Sequence, residues 1–139
     1  MLGISRDDDF GLCVRARRDC IEGTVIERFD GNVGTLVSQH SLQIRPGLHI
    51  SGTRHIGFLS HGCDPNCRLD MTHFELVALR RIRNGELLTI DYSETEDRLF
   101  AQFACICGST RCRRWITGRN EAATPTGQRF LAALTRVPA

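Results

Sequence analysis

Cys105, Cys107 and Cys112 place three thiols in one short loop around Gly108. Zinc takes four ligands at the corners of a tetrahedron and accepts thiolates readily, so three clustered cysteines call for a fourth from elsewhere in the chain. Cys63, in Leu59-Ser60-His61-Gly62-Cys63-Asp64-Pro65-Asn66, is the best candidate. The alternative is a separate Cys63 and Cys67 pair, with the other three as reduced thiols. Arg111, Arg113 and Arg114 flank the loop, where they would lower thiolate pKa values or face an acidic partner. If Cys63 completes the set, the metal pins the C-terminal tail onto the segment carrying His61 and Asn66, and a pocket forms at the junction. Tyr92, the only tyrosine, follows Asp91 shortly after an Asn84-Gly85 turn and is the candidate hydroxyl. Its plainer reading is a core residue with the hydroxyl at the rim.

Short strands punctuated by turns must position these groups. Leu12 to Arg17 and Thr24 to Arg28 read as a hairpin across the polar turn Asp19 to Gly23. Leu42 to Ile44 and Leu48 to Ile50 flank Arg45-Pro46-Gly47, and Phe74 to Leu79 and Leu87 to Ile90 flank Arg83-Asn84-Gly85-Glu86. Helix is expected only late: Thr95 to Phe103, with Leu99, Phe100 and Phe103 on one face, and Thr126 to Val137, with Phe130, Leu131, Leu134 and Val137 at helical spacing. Thr124-Pro125-Thr126-Gly127 reads as a linker into the last helix.

At 139 residues, with 41% hydrophobic and 24% charged residues, the chain has the length and composition of one globular domain. No apolar run approaches the roughly 20 residues of a membrane helix, and Asp7, Asp8 and Asp9 do not suit a signal peptide. The expectation is an intracellular protein, cytoplasmic or, in a eukaryote, nuclear. Its cysteines are then thiols or metal ligands rather than disulfides, with Cys13, Cys20 and Cys67 as buried or incidental thiols. A net charge of +2 gives no strong nucleic-acid signal. All eighteen basic side chains other than histidine are arginines.

Four blocks, taken in order, resemble the SET-domain protein-lysine methyltransferases. Gly11-Leu12-Cys13-Val14-Arg15-Ala16 with Ile21-Glu22-Gly23-Thr24-Val25-Ile26 is similar to the opening motif at the S-adenosylmethionine site. Phe58 through Cys67 resembles the central motif, usually Asn-His-Ser-Cys-x-Pro-Asn. Leu79 through Tyr92 looks like the strand-turn-strand that delivers the catalytic tyrosine, and Cys105 through Ile116 like the post-SET zinc segment. The resemblance implies a mainly β, β-clip type SET fold of small sheets, with a C-terminal pseudoknot, short helices and a post-SET zinc loop. It implies a SET domain over 9–104, the zinc segment over 105–117 and a linker and helix over 118–139. Tyr92 would be catalytic, with Gly11, Leu12, Cys13, Arg15, Ser60, His61 and Tyr92 around S-adenosylmethionine. Cys63, Cys105, Cys107 and Cys112 would hold zinc, and Phe29, Ile90 and Trp115 would line the substrate channel. Asn66 would hold the pseudoknot near the cofactor. Arg15 reads equally as a solvated strand residue, and Trp115 either closes the channel or caps the zinc loop.

Four positions depart from the family pattern. Ser60 replaces an asparagine, exchanging an amide for a shorter hydroxyl, and Cys13 stands where a second glycine is usual, so its side chain is expected to crowd a backbone that approaches the cofactor closely. Phe29 falls where many members place a tyrosine. Ile90 occupies the position of a phenylalanine or tyrosine that limits how many methyl groups fit, and an isoleucine there predicts an apolar channel permitting di- or trimethylation.

Three functions follow. One is methyl transfer to a protein lysine, with a protein partner bearing an accessible lysine. A second is transfer to a small amine or other nucleophile. The third is a zinc- and cofactor-binding module without catalysis. A homodimer that completes the acceptor site is compatible with each, and no surface stripe in the sequence proves it.

Overall fold

Asp7 opens the first turn by accepting the backbone N–H groups of Asp9 (2.8 Å) and Phe10 (3.2 Å) on Oδ1, an Asx arrangement that reverses the chain without further support. Gly11 follows with φ +67°, a left-handed setting that glycine adopts without a Cβ penalty. Strand β1 (Leu2–Asp7) therefore pairs antiparallel with β2 (Gly11–Ala16). The hairpin expected between 12–17 and 24–28 does not form. The computed structural model describes residues 1–135, so the expected end of the last helix at Val137 lies outside the described residues.

β3 (Val25–Arg28) instead joins β9 (Glu75–Ala78), which pairs on its other side with β8 (Cys67–Asp70). A second three-stranded sheet runs in the order β4 (Asn32–Gly34), β6 (Leu48–Ser51), β5 (Leu42–Arg45), and Gly47 at φ +78° makes the expected β5–β6 turn. The Asn84-Gly85 turn is also present, with Gly85 at φ +87° and the Glu86 N–H donating to the Arg83 carbonyl at 3.0 Å. Its flanks go to different sheets. β9 stays with β3 and β8, while β10 (Thr89–Ile90) lies parallel to β7 (Ser60–His61).

That parallel pair sets the sequence motifs side by side. Asn66 is 2% exposed and fastens the junction: its Nδ2 donates to Glu86 and to the Leu87 carbonyl, both at 2.8 Å, and its Oδ1 accepts the Thr89 N–H at 2.9 Å. β2 borders the same segment through Leu88 N–H to Val14 carbonyl at 2.9 Å and Ala16 N–H to Glu86 carbonyl at 3.0 Å. Val14, Ile26, Leu59, Leu76, Leu88 and Ile90 form much of the core between these elements.

Beyond β10 the expected helix over 95–103 is absent. A single turn, α1 (Tyr92–Thr95), gives way to irregular chain and then to β11 (Phe103–Ala104), paired with β12 (Trp115–Ile116). Backbone groups of the 96–99 stretch are committed to tertiary partners: the Glu96 and Asp97 carbonyls accept from the Arg119 and Asn120 N–H groups, the Asp97 N–H donates to Gln43 and the Leu99 N–H to Glu121. Those bonds displace the helical ladder that the apolar spacing favours.

α2 (Pro125–Leu134) starts at Thr124, whose hydroxyl accepts the Gly127 N–H at 3.3 Å, with Pro125 in the first turn. It rests on Trp115, which stacks on Phe130 at 5.6 Å. A Cβ at Gly127 would lie 2.1 Å from Trp115 Nε1. Glycine-to-alanine in a helix normally gains about 1 kcal/mol; at this position overpacking costs about 1–3 kcal/mol and decides the sign. Gly127→Ala is expected to lower the melting temperature in calorimetry, and a rise would show that α2 is not seated on the indole. Among the described residues no helix is long and apolar enough to cross a membrane.

Candidate active site

A cavity of about 840 Å³ lies where the first motif, the β7 segment, the end of β10 and the chain from 95 to 106 converge. Gly11, Leu12, Ser60, His61, Ile90 and Tyr92 all line it, beside His40, Phe58, Glu96, Phe100 and Phe103. A Cβ built on Gly11 would meet none of the described atoms within 4 Å, so this backbone borders open space. Ser60 Oγ is buried with no hydrogen-bond partner among the described residues. A buried hydroxyl left unsatisfied is costly, and here it is a polar group available to a ligand.

Tyr92 is oriented from both ends. Its hydroxyl donates to the Leu59 carbonyl, and its backbone N–H donates to His61 Nδ1 at 3.1 Å. The phenol is pushed up to about 12 by burial, helped by the charge of Glu96, so it stays neutral at physiological pH. Burial likewise lowers His61 to about 4 and keeps the imidazole neutral. Because Nδ1 accepts the Tyr92 N–H, the ring proton sits on Nε2, which donates to Cys63 Sγ at 3.4 Å. The 3.8 Å approach of Nδ1 to Asp91 is accordingly not an ion pair. His61 thus uses both ring nitrogens inside the protein, tying Tyr92 to the cysteine cluster.

Four sulfurs complete that cluster. The Sγ atoms of Cys63, Cys105, Cys107 and Cys112 lie within 4.8 Å of one another, and Cys63 and Cys105 are 3.9 Å apart. A tetrahedron with zinc–sulfur bonds of about 2.3 Å has edges of roughly 3.8 Å, so the donor set fits that ion. Outer contacts are also in place: Cys63 Sγ accepts from the Arg113 N–H at 3.4 Å as well as from His61. Cys67 stands apart, its thiol pushed up to about 12 by burial.

Four of the residues named for the cofactor or channel lie away from the cavity wall. Cys13 does not crowd the cavity: its side chain is fully buried, with Sγ 3.3 Å from Ser5 Oγ, because the β1–β2 pairing turns it inward. Arg15 lies outside the cavity wall and pairs with Asp7 at 3.0 Å while donating to the Gly85 carbonyl. Phe29 packs on Phe74 at 5.6 Å, held by the β3–β9 ladder and away from the cavity. Trp115 does not line the cavity; its Nε1 donates to Gln102 at 2.8 Å and α2 packs on it. Conversely, sequence reading missed Glu96, a cavity-lining carboxyl raised by burial, and His40. The His40 Nδ1 donates to the Gly57 carbonyl at 3.0 Å and its ring stacks on Phe58 at 4.4 Å. Nothing local marked either residue, because each reaches the cavity only through long-range packing.

Residues 11–93, more than half of the chain, match the family model described as SET domain. The chain is similar to human Histone-lysine N-methyltransferase 2B, at 40% identity over 65 residues covering 42% of this chain and 2% of the relative. Methyltransferase flvH of Aspergillus flavus is 32% identical over 92 residues, 65% of this chain and 52% of that protein. Histone-lysine N-methyltransferase ash1 of Drosophila melanogaster is 28% identical over 140 residues, 84% of this chain and 6% of the relative. Among solved structures, KRYPTONITE in complex with mCHG DNA and SAH superposes with a TM-score of 0.66 at 26% identity, over 82% of this chain and 28% of that one. The chain therefore spans between about a fiftieth and a half of the length of these curated relatives. With that match over the stretch that carries Gly11, Ser60, His61, Cys63, Ile90 and Tyr92, the chain belongs to the SET-domain family.

Proposed function

We propose that this chain is an S-adenosylmethionine-dependent methyltransferase whose acceptor is the side-chain amine of a protein lysine, with Tyr92 as its catalytic residue. The observation that carries the reading is the Tyr92 hydroxyl, anchored on Leu59 at a cavity large enough for a cofactor, in a chain of this family. Gly11, Leu12, Ser60 and His61 are the proposed cofactor contacts. When bound, S-adenosylmethionine supplies an electrophilic methyl group on a positively charged sulfur. The task left to the protein is alignment and exclusion of water. By donating its proton to Leu59, the neutral Tyr92 hydroxyl leaves its oxygen lone pairs to accept an amine N–H and aim the nitrogen along the transfer line. At that pKa it does not serve as the base. A lysine amine, with an ordinary pKa of about 10.4, is brought toward its neutral form by the apolar walls formed by Leu59, Ile90, Leu99 and Phe103.

Cys63, Cys105, Cys107 and Cys112 are proposed to hold zinc, which would keep the 103–116 segment against β7. Ile90, 2% exposed and two residues before Tyr92, offers neither a donor nor a hold for water. Di- and trimethylated products are expected at long reaction times, read by mass spectrometry. Ile90→Tyr is expected to depress the trimethyl product by about tenfold or more, the worth of one added hydrogen bond to the amine. Monomethyl product alone from the unaltered protein would refute the apolar-channel reading.

Incubating the zinc-loaded protein with isotopically labelled S-adenosylmethionine and a cell lysate tests the activity. The absence of lysine leaves the N-terminal amine as the only amine background from the enzyme itself. Labelled protein bands that disappear with Tyr92→Phe support the reading. Label confined to small molecules overturns the protein acceptor, and no transfer with the cofactor bound overturns catalysis.

A further inference from the structure

Arg113 and Asp91 join the cysteine loop to the turn that carries Tyr92. Arg113 Nη1 donates to Asp91 Oδ2 at 2.9 Å and Nη2 to Oδ1 at 2.7 Å, a two-pronged pairing that fixes orientation as well as distance. The backbone N–H of the same arginine donates to Cys63 Sγ at 3.4 Å. Asp91 is 9% exposed and caps α1, its Oδ1 accepting the Ser93 N–H at 3.1 Å and the Ser93 hydroxyl at 2.7 Å. Burial alone would raise the Asp91 carboxyl, and Arg113 with Ser93 outweighs it and holds the group below the usual carboxylate range.

We propose that Arg113 and Asp91 are positioning residues: a clasp through which order in the metal-binding loop sets the position of Tyr92. The inference rests on the proposed catalytic role of Tyr92 and deepens it. α1 is only four residues long, and a single helical turn has almost no stability of its own. Its start is held by the Asp91 cap, and Asp91 is in turn held by Arg113. Deprived of the guanidinium, the buried carboxylate is driven toward water and the cap is pulled away, leaving the Tyr92 backbone with its N–H bond to His61 and the Glu96 N–H bond within the turn itself. Because Arg113 follows Cys112 directly, loss of the metal releases the clasp from the other end.

The test compares the zinc-loaded protein with Arg113→Ala and Arg113→Lys. Hydrogen–deuterium exchange of peptides covering 91–96 and 105–116 is followed before and after chelation, alongside zinc content, donor affinity by calorimetry, and kcat and KM. In the unaltered protein, chelation should speed exchange in both segments. In Arg113→Ala the 91–96 segment should exchange about tenfold or more faster with zinc still bound, and chelation should add far less there. Its kcat should fall by about tenfold to a hundredfold, the scale of a small misplacement at a reacting centre, with donor affinity within about threefold. Arg113→Lys should restore only part of the protection, since an ammonium lacks the planar fork that makes two parallel bonds. An equal response of 91–96 to chelation with and without Arg113 overturns the proposal, as does full protection and full kcat in Arg113→Ala. If Arg113→Ala sheds zinc, Asp91→Asn leaves the loop intact. It should loosen 91–96 at unchanged zinc content, and protection retained there is equally fatal. The exchange measurements decide the clasp even if no methyl transfer occurs, a failure that would instead fall on the proposed activity.

Discussion

Tyr92→Phe is expected to lower turnover by about 10²- to 10³-fold, the usual loss when one oriented polar group at a reacting centre is removed, while donor affinity changes little. The ring is retained, and with it the edge contacts to His61 at 5.2 Å and Phe103 at 5.9 Å that hold the cavity wall. What is lost is the oxygen that would aim the amine, an interaction made by the reacting complex and not by the bound donor. The effect should therefore fall on kcat with little change in the donor KM. A stability cost of about 1–3 kcal/mol is also expected, because the buried Leu59 carbonyl loses its partner. The unaltered enzyme should show no pH–rate limb from the phenol below about 12, so a limb near neutrality must come from the acceptor amine or another group. Turnover within tenfold of the unaltered protein, by a labelled-donor assay at saturating acceptor, would remove Tyr92 from the catalytic role.

Removing the metal should be equally severe by a different route. Around the cysteines the buried apolar residues described are few: Cys63, Cys105 and Ile116, with Leu99, Phe103, Cys107 and Cys112 partly covered. So small a cluster cannot order the 103–116 segment by burial alone. Structural zinc contributes about 10–16 kcal/mol in small sites, enough to order such a segment. Chelation, or Cys105→Ser, is expected to release about one zinc per chain by atomic spectroscopy and to expose 103–116 to exchange. Phe103, Ala104, Cys105 and Ile106 line the cavity, so donor affinity should collapse along with transfer. The Tyr92 substitution spares binding, which separates the two. Full activity after verified metal removal would show that the four thiols do not organise the site.

The groups able to do chemistry were legible where they sit in short local motifs. The spacing of Cys105, Cys107 and Cys112 made the sulfur cluster they form with Cys63 readable in advance, and the hairpin around Gly47 and the turn at Gly85 follow from backbone conformations that glycine favours. The apolar pattern over 95–103 misled because periodicity records which side chains seek burial, not whether the backbone between them spends its polar groups on a helix. Here the Glu96 and Asp97 carbonyls accept from the Arg119 and Asn120 N–H groups, and the Asp97 and Leu99 N–H groups donate to Gln43 and Glu121.

By itself, then, the amino-acid order determined the family, the four cysteines, the tyrosine with its preceding aspartate and the apolar residue at position 90. The tertiary structure decided partnership. It paired β2 with β1 instead of β3, turned Cys13 inward, placed Phe29 against Phe74, covered Trp115 with α2, and brought Arg113 onto Asp91 across 22 positions of chain. A strand's own pattern says which face is buried and nothing about the strand beside it. That choice is made by the whole core at once, through the burial and hydrogen bonding that each alternative pairing would leave unsatisfied.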